Sequence, residues 1–427
     1  MEKAILNHNP HWQRRSYNFY NRDRFKTIVD KLHLKHIQVL KGIRRSGKTT
    51  LFKLLINHLV QTVDKKSVLY INLDDPYFSE ICNDSKNLYT LLELSEKITG
   101  TKVQYLFLDE VQNVVYWEKF VKAIYDNEVV KKIFITGSNS SLLDGEYAKL
   151  LSGRYIQETI YPLSFAEIVA INKINDRQAL LENKAKLLNI IDDMMNFGSF
   201  VEVMDEAKYK RDIILSYYDT IIFKDCVANN HLRDSKTFKE VTNFIISNST
   251  NLYSYNSIAR VLNINDNTVK EYIKILIDSF LCNEIKQYSY SLKEQIKTKK
   301  KIYISDNSFL SQTSFRFSKD FGKRFENLVY TELLKQEFEI YYHNKDSECD
   351  FICIKNEKII AIQVCYKLTN QNITREMAGL KKLKIKTDKK ILLTYNQDKN
   401  SIKQNDCDDI LIVPFWDFFS ASVAIMM

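Results

Sequence analysis

Gly42-Ile43-Arg44-Arg45-Ser46-Gly47-Lys48-Thr49-Thr50 fits the spacing G-x-x-x-x-G-K-[ST] at every fixed position. Two glycines at that distance let the main chain turn tightly and press its N–H groups against phosphate oxygens, while the lysine reaches the β- and γ-phosphates. The Thr49 hydroxyl is then a ligand for Mg²⁺, so the stretch points to ATP and Mg²⁺. With only 9 Gly in 427 residues, two at the two required places weigh against a chance turn. A second chemical group ends the run Val103-Gln-Tyr-Leu-Phe-Leu-Asp109-Glu110. An apolar strand that stops in two carboxylates predicts Asp109 as a Mg²⁺ holder and Glu110 as the base that polarises an attacking water. Ser138 and Asn139, closing the run that starts at Lys132, are candidates for sensing the γ-phosphate and orienting that water. Ser140 is placed to N-cap a helix over 141–150. Arg154 stands where an arginine can stabilise transition-state charge, in cis or in trans from a neighbouring subunit of an oligomer; the alternative is a salt-bridged structural arginine.

Each of these groups needs an element to hold it. Ile37-Gln-Val-Leu40 is a short apolar run expected as a buried strand, and the residues from Thr50 to Ile56 have helical periodicity. Strand, loop and helix N-terminus together aim a helix dipole at a polyphosphate. Ser67 to Leu73 reads as a strand by its β-branched and apolar content, Leu88 to Ile98 as a helix, and Trp117 to Asp126 as a helix with one aromatic face. The strand Tyr155 to Ile160 and the turn Tyr161-Pro-Leu-Ser-Phe165 close this first domain. Upstream, Arg14, Arg15, Arg22 and Arg24 are interleaved with Trp12, Tyr17, Phe19 and Tyr20. They read either as a base-stacking lead-in to the nucleotide or as a basic helix packed on the first domain.

Composition narrows the class. A chain of 427 residues predicts two to four domains, and 45% hydrophobic with 27% charged residues is ordinary for a globular protein. No run approaches the ~18 apolar residues of a membrane span, and the start lacks the apolar core of a signal peptide. The expectation is a cytoplasmic protein with no membrane contact. The 7 Cys include no C-x-x-C pair, which argues against a zinc site or disulfide framework. A net charge of +9 permits nucleic-acid contact without requiring it.

Downstream, the pattern from Leu180 to about Ser235 is helical, interrupted at Phe197-Gly-Ser-Phe200. Ser257 to Leu262, a turn at Asn263-Ile-Asn265, and Asp266 to Phe280 predict a helix-turn-helix. The segment from Leu281 to Tyr288, the basic run Lys293 to Lys301 and the strand to Ser305 would add a wing, giving a unit that resembles a winged helix. Its exposed face is only mildly basic, so Lys270, Lys274 and the Lys299 to Lys301 run are the candidate DNA contacts, against a role as a rigid lever. In the last unit, a helix with Glu326, a strand entered by Asp350 and a strand carrying Gln363, Cys365 and Lys367 resemble the PD-(D/E)xK nuclease constellation. In that pattern two carboxylates hold Mg²⁺ and a lysine activates water. Here Gln363 stands at an acid position and Cys365 at the lysine position. Lys367, two residues on and on the same face by period, is the only lysine in that strand placed to substitute. A degenerate module with no nuclease activity is expected.

The set G-x-R-R-x-G-K-T-T, Leu106-Phe-Leu-Asp-Glu-Val-Gln112, the T-G-S element, S-G-R and Tyr161-Pro-Leu-Ser-Phe resembles the AAA-type prokaryotic ATPases that carry a C-terminal domain of unknown function, grouped with AAA and STAND-like P-loop ATPases. The resemblance is specific over about the first 165 residues and looser beyond. It implies an α/β core with a parallel sheet of order 5-1-4-3-2, and a helical lid after it. The resulting domain expectation is a lead-in over 1–36, an ATPase core over 37–165, a lid over 166–235, a winged helix over 236–305 and a nuclease-like α/β domain over 306–427. The favoured activity is Mg²⁺-dependent ATP hydrolysis driving a nucleotide-dependent switch with a protein client. The alternatives are an ATP-gated DNA-binding or DNA-processing protein, and an interaction protein that binds ATP without hydrolysing it.

Overall fold

The computed structural model describes residues 1–140, 149–313, 320–345, 347–399 and 409–420. The chain divides into two compact units, Met1–Pro162 with Asp278–Phe280, and Leu163–Ile277 with Leu281–Met427. The helix expected over 141–150 lies largely outside the described residues.

In the first unit, β1 (Ile37–Lys41), β2 (Val68–Asn72), β3 (Tyr105–Asp109), β4 (Lys132–Gly137) and β5 (Tyr155–Thr159) form one sheet. All its pairings are parallel and its order is β2-β3-β4-β1-β5, the order 5-1-4-3-2 read from the other edge. A parallel sheet is covered on both faces, which is why β2, β3 and β4 read as mostly apolar runs, whereas the edge strand β5 carries Gln157 and Glu158. Leu106 and Leu108 of β3 enter one core with Ile37 and Val39, and Phe107 enters the other with Leu40 and Phe134. Phe107 stacks on Phe134 with ring centroids 4.1 Å apart, and Phe52 meets Phe107 edge-on at 5.1 Å. This aromatic group fixes the helix Lys48–Leu59 to the sheet, at about 0.5–1.5 kcal/mol per ring pair beyond area burial.

The edge strand β2 is covered by the N-terminal segment. Asn9 accepts from Tyr70 N (2.8 Å) and donates to Tyr70 O (3.0 Å), while Trp12 Nε1 donates to Val68 O at 2.8 Å. Side chains thus satisfy main-chain groups that an open edge leaves unpaired. Trp12 is buried in this contact, so it does not belong to a base-stacking lead-in.

In the second unit, β6 (Leu252–Tyr253), β7 (Cys282–Ile285) and β8 (Lys300–Ile304) make a three-stranded antiparallel sheet in the order β6-β8-β7. It accompanies the helices Ser235–Ser247, Tyr255–Leu262 and Asp266–Asp278. A mixed sheet follows: β9 (Glu339–Asn344), β10 (Glu348–Lys355), β11 (Lys358–Cys365), β12 (Lys389–Thr394) and β13 (Ile410–Pro414), ordered β13-β12-β11-β10-β9. Residues 166–235, expected as a helical lid, lie in the second unit. Leu163, Phe165, Leu187, Ile191 and Met195 share a core with Phe325, Leu328, Phe351, Ile362 and Phe415, around the mixed sheet. Helical periodicity reveals an apolar face but not which surface covers it. The reach across sequence is pinned by Glu332, which accepts from Phe165 N at 2.9 Å, and by Lys335, which donates to Leu163 O at 2.8 Å.

Candidate functional site

The predicted chemistry of the first unit converges at the C-terminal ends of β1, β3 and β4. Register explains it: Lys41 pairs with Gly137 and Asn72 with Asp109, so Gly42, Ser138 and Glu110 each follow immediately on aligned strand ends. The loop that leaves β1 needs its glycines. Gly42 has φ +147°, and a Cβ there would lie 2.1 Å from Ile160 O; Gly47 has φ +98°. Arg45 also takes a left-handed conformation, φ +65°, so the loop curls back on itself before the helix Lys48–Leu59 begins. Lys48 is buried and donates to Gly42 O (2.9 Å) and Ile43 O (3.1 Å), which keeps its ammonium inside the curl of the loop.

Asp109 is the centre of the second group. It is 1% exposed, and three hydroxyls donate to its carboxylate: Thr49 at 2.6 Å, Tyr70 at 2.9 Å, and Thr136. Burial, and next the Glu110 charge, push its carboxyl above the usual range, and the three hydroxyls pull it back. Thr136 also accepts from Glu110 N at 2.9 Å, and Glu110 has φ +55°, so the main chain turns sharply after Asp109. That turn separates the two carboxylates: Asp109 points at Thr49, while Glu110 accepts from Gln112 Nε2. Ser138 is 1% exposed, and neither its hydroxyl nor that of buried Ser46 in the loop has a hydrogen-bond partner among the described residues. Buried hydroxyls without partners are uncommon, and here two border one loop. Asn139 follows Ser138 and is half-buried.

The residues present fit a Mg-nucleotide. A desolvated carboxylate that three hydroxyls already serve is matched by a cation, and Thr49 and Asp109 are the pair that would hold it. Partnerless Ser46 and Ser138 hydroxyls, two glycines with no room for a Cβ, and a lysine curled under the loop match a phosphate chain. Ile43, Arg44 and Thr50 complete the loop as expected from the spacing.

One correction and several additions come from the geometry of the first unit. Arg154 lies at the other end of the sheet. Its main-chain oxygen accepts from Ile37 N at the start of β1, and its side chain pairs with Asp126 at 2.8 Å. In its own chain it therefore cannot be a finger in cis, because the length of β1 separates it from the phosphate loop. Arg22, by contrast, is a site residue that the spacing did not single out. It is 7% exposed, donates to Ser46 O (2.9 Å) and Tyr161 O (2.7 Å), and occupies the space where a Cβ on Gly47 would lie, 2.4 Å from Nη1. Thr136 and Gln112 stood inside the sequence motifs without a role assigned to them, and Tyr70, a single polar residue in the middle of β2, carries no pattern.

In the last unit, Glu326 on the helix Phe321–Lys335 and Asp350 on β10 do come together, at a register irregularity between Cys349 and Ile352. Asp350 Oδ2 accepts from Val364 N at 3.0 Å. Burial, then the Glu326 charge, raise its carboxyl to about 7. Gln363 is turned to Asp350 N (3.3 Å) and Glu376 (3.1 Å). Lys367, the expected substitute, lies beyond the end of β11 and is exposed. The lysine that reaches the carboxylates is Lys301 of β8, 3.2 Å from Glu326 and 3.4 Å from Asp350. Of the basic candidates, Lys300 pairs with Glu284 at 3.0 Å, and Lys270, outside the run, makes an exposed pair with Asp266 at 2.9 Å.

Comparison with known proteins bears this organisation out for the first unit. Residues 34–169 match the family described as an AAA domain, while 188–320 and 321–417 match two domains of unknown function, DUF8612 and DUF4143. An uncharacterized protein of Methanocaldococcus jannaschii is 33% identical over 417 residues, covering 93% of this chain and 90% of its own. The chain belongs to the same family as that protein. An uncharacterized protein of Haemophilus influenzae is 30% identical over 370 residues, covering 84% of this chain and 88% of its own. Family members of this kind thus occur in an archaeon and a bacterium, with an AAA-type P-loop core in this chain. AMPPCP-bound DnaA from Aquifex aeolicus is 16% identical and covers 62% of this chain and 90% of its own, with a TM-score of 0.28, an overlap too loose to decide anything here. No helix among the described residues is long and apolar enough to cross a membrane.

Proposed function

We propose that this family member is a Mg²⁺-dependent ATPase whose nucleotide state works as a switch on the second unit. The observation that carries the reading is the junction of Thr49, Asp109, Thr136 and Glu110 beside the phosphate loop. Mg²⁺ on Thr49 and Asp109 would neutralise charge on the β- and γ-phosphate oxygens. Lys48 supplies a further positive charge to the same oxygens, and the loop N–H groups hold the chain of phosphates in line. Glu110, aimed apart from Asp109 by its left-handed turn, takes a proton from water as the water oxygen bonds to the γ-phosphorus and the bond to the β-phosphate oxygen breaks. Ser138 and Asn139 are proposed to orient that water.

For the second unit, the order β6-β8-β7 with its three helices supports a winged helix, and Glu326 with Asp350 on a mixed sheet supports a degenerate PD-(D/E)xK module. A lever acting on a protein client is favoured over a DNA reader by a specific observation: Lys270, Lys300 and Lys301 are all engaged in ion pairs within the chain. Phosphate release from Mg-ATP, with and without duplex or single-stranded DNA, tests both readings. Release that ignores DNA and falls ~10²-fold or more in Glu110→Gln, with ATP binding retained, is the expected result. Lys48→Ala should lose binding as well. DNA-stimulated release lost in both variants would put the DNA reading first, and tight ATP binding without release in the parent chain would leave ATP as a structural ligand.

A further inference from the structure

The fold expected of the last module brings with it a divalent cation, and the residues at its carboxylate pair do not fit one. Lys301 is 94% buried as a side chain, and its Nζ lies within 3.4 Å of both Glu326 and Asp350. Tyr303, two residues on and so on the same face of β8, donates to the same Glu326 oxygen at 2.7 Å. The remaining carboxylate oxygen of Asp350 is taken by Val364 N. Gln363 contributes no charge, and its amide is committed to Asp350 N and Glu376. Cys365 packs into an apolar core with Leu368, Ile373 and Met377, and its sulfur accepts from Asn372 Nδ2 at 3.8 Å.

We infer that the Lys301 ammonium is a built-in replacement for the metal ion. It is delivered by a strand of the three-stranded sheet to the two carboxylates of the mixed sheet and its helix. Two buried anions repel one another unless a cation lies between them, and a lysine on β8 meets that need without any ion from solution. The arrangement also ties the two sheets together. Main-chain bonds join them at the same place: Tyr288 N donates to Tyr342 O at 2.7 Å and Tyr342 N donates to Lys286 O at 3.1 Å, beside β9. A bound metal is thus traded for an ionic lock between the three-stranded sheet and the nuclease-like module. The inference rests on the nuclease-like reading of that module.

The test is Mn²⁺ uptake by the nucleotide-free full chain at millimolar Mn²⁺, read by loss of the free-ion paramagnetic resonance signal. Asp109→Asn is used as the background to silence the first unit's cation seat. The expected result is no uptake at the carboxylate pair with Lys301 in place, and gain of one Mn²⁺ per chain in Lys301→Met, lost again on adding Asp350→Asn. A parent chain that already takes up Mn²⁺ in a manner abolished by Asp350→Asn overturns the proposal while strengthening the nuclease-like reading. A folded Lys301→Met chain that takes up none removes both. Should Lys301→Met fail to fold, Lys301→Met with Glu326→Gln and Asp350→Asn removes the charges together. Recovery of a cooperative melt then supports the counter-ion role, and continued failure overturns it.

Discussion

Replacing Arg22 by Ala should cripple the phosphate loop from outside it. Arg22 is buried and donates to two main-chain oxygens, Ser46 O inside the loop and Tyr161 O just past β5. A hydrogen bond from a charged donor contributes about 1.5–3 kcal/mol, and the truncation leaves two carbonyls without that donor. The two losses share one side chain and do not add fully, so the first unit should lose roughly 2–4 kcal/mol. At about 2–4 °C per kcal/mol for a unit of this size, its melting midpoint should fall by roughly 5–15 °C. The Ser46–Gly47 peptide is one of those meant to face phosphate, so a third of the loss falling on loop conformation, about 0.7–1.3 kcal/mol, weakens nucleotide binding roughly 3- to 10-fold. Arg22→Lys should recover less than half of either effect, because one ammonium does not span two oxygens as a guanidinium fork does. Scanning fluorimetry with and without Mg-ATP, together with titration of a fluorescent ATP analogue, reads both quantities. A midpoint and a Kd that both stay at parent values in Arg22→Ala would refute the assignment of Arg22 as the clamp on this loop.

Three other outcomes follow from single contacts. Gly42→Ala places a Cβ 2.1 Å from Ile160 O at φ +147°, which should cost about 2–4 kcal/mol and abolish nucleotide binding, as read by the same titration. Thr136→Val removes the hydroxyl that donates to Asp109 and accepts from Glu110 N; kcat for phosphate release should fall further than ATP affinity, and equal losses would count against its role in aiming Glu110. His11 is buried against Val68 O, and burial lowers its pKa from 6.5 to about 4, so the folded chain holds it neutral where the unfolded chain would protonate it. The stability this neutral form contributes is present above pH 6.5 and is lost as pH falls towards 4, by about 3 kcal/mol. His11→Gln should flatten that part of the melting-midpoint profile, and a profile as steep as the parent's would show that another group titrates there.

What the sequence determined by itself is the nucleotide end of the first unit. The spacing of Gly42, Gly47, Lys48 and Thr49, and the run ending in Asp109 and Glu110, are short-range patterns in which chemistry and backbone conformation coincide, so one strand-loop-helix suffices to place them. The strands of that sheet were legible too, β2, β3 and β4 as mostly apolar runs and β5 less plainly because it carries Gln157 and Glu158; their order was implied by resemblance and is what the tertiary structure has. Arg154 shows the limit: its place after a helix suggested a finger, but parallel pairing puts the start of β5 beside the start of β1, far from the loop. Arg22, Thr136 and Lys301 were not legible because their roles come from partners 24, 27 and 49 residues away, across elements whose docking no periodicity encodes. The same holds for the helices after Pro162, whose apolar faces were plain but whose partner is the C-terminal mixed sheet. A lysine in a basic run reads as solvated until a neighbouring strand and helix bring two carboxylates to it. Only the packing of β8 decided that Lys301 is an internal counter-ion and not a contact for phosphate.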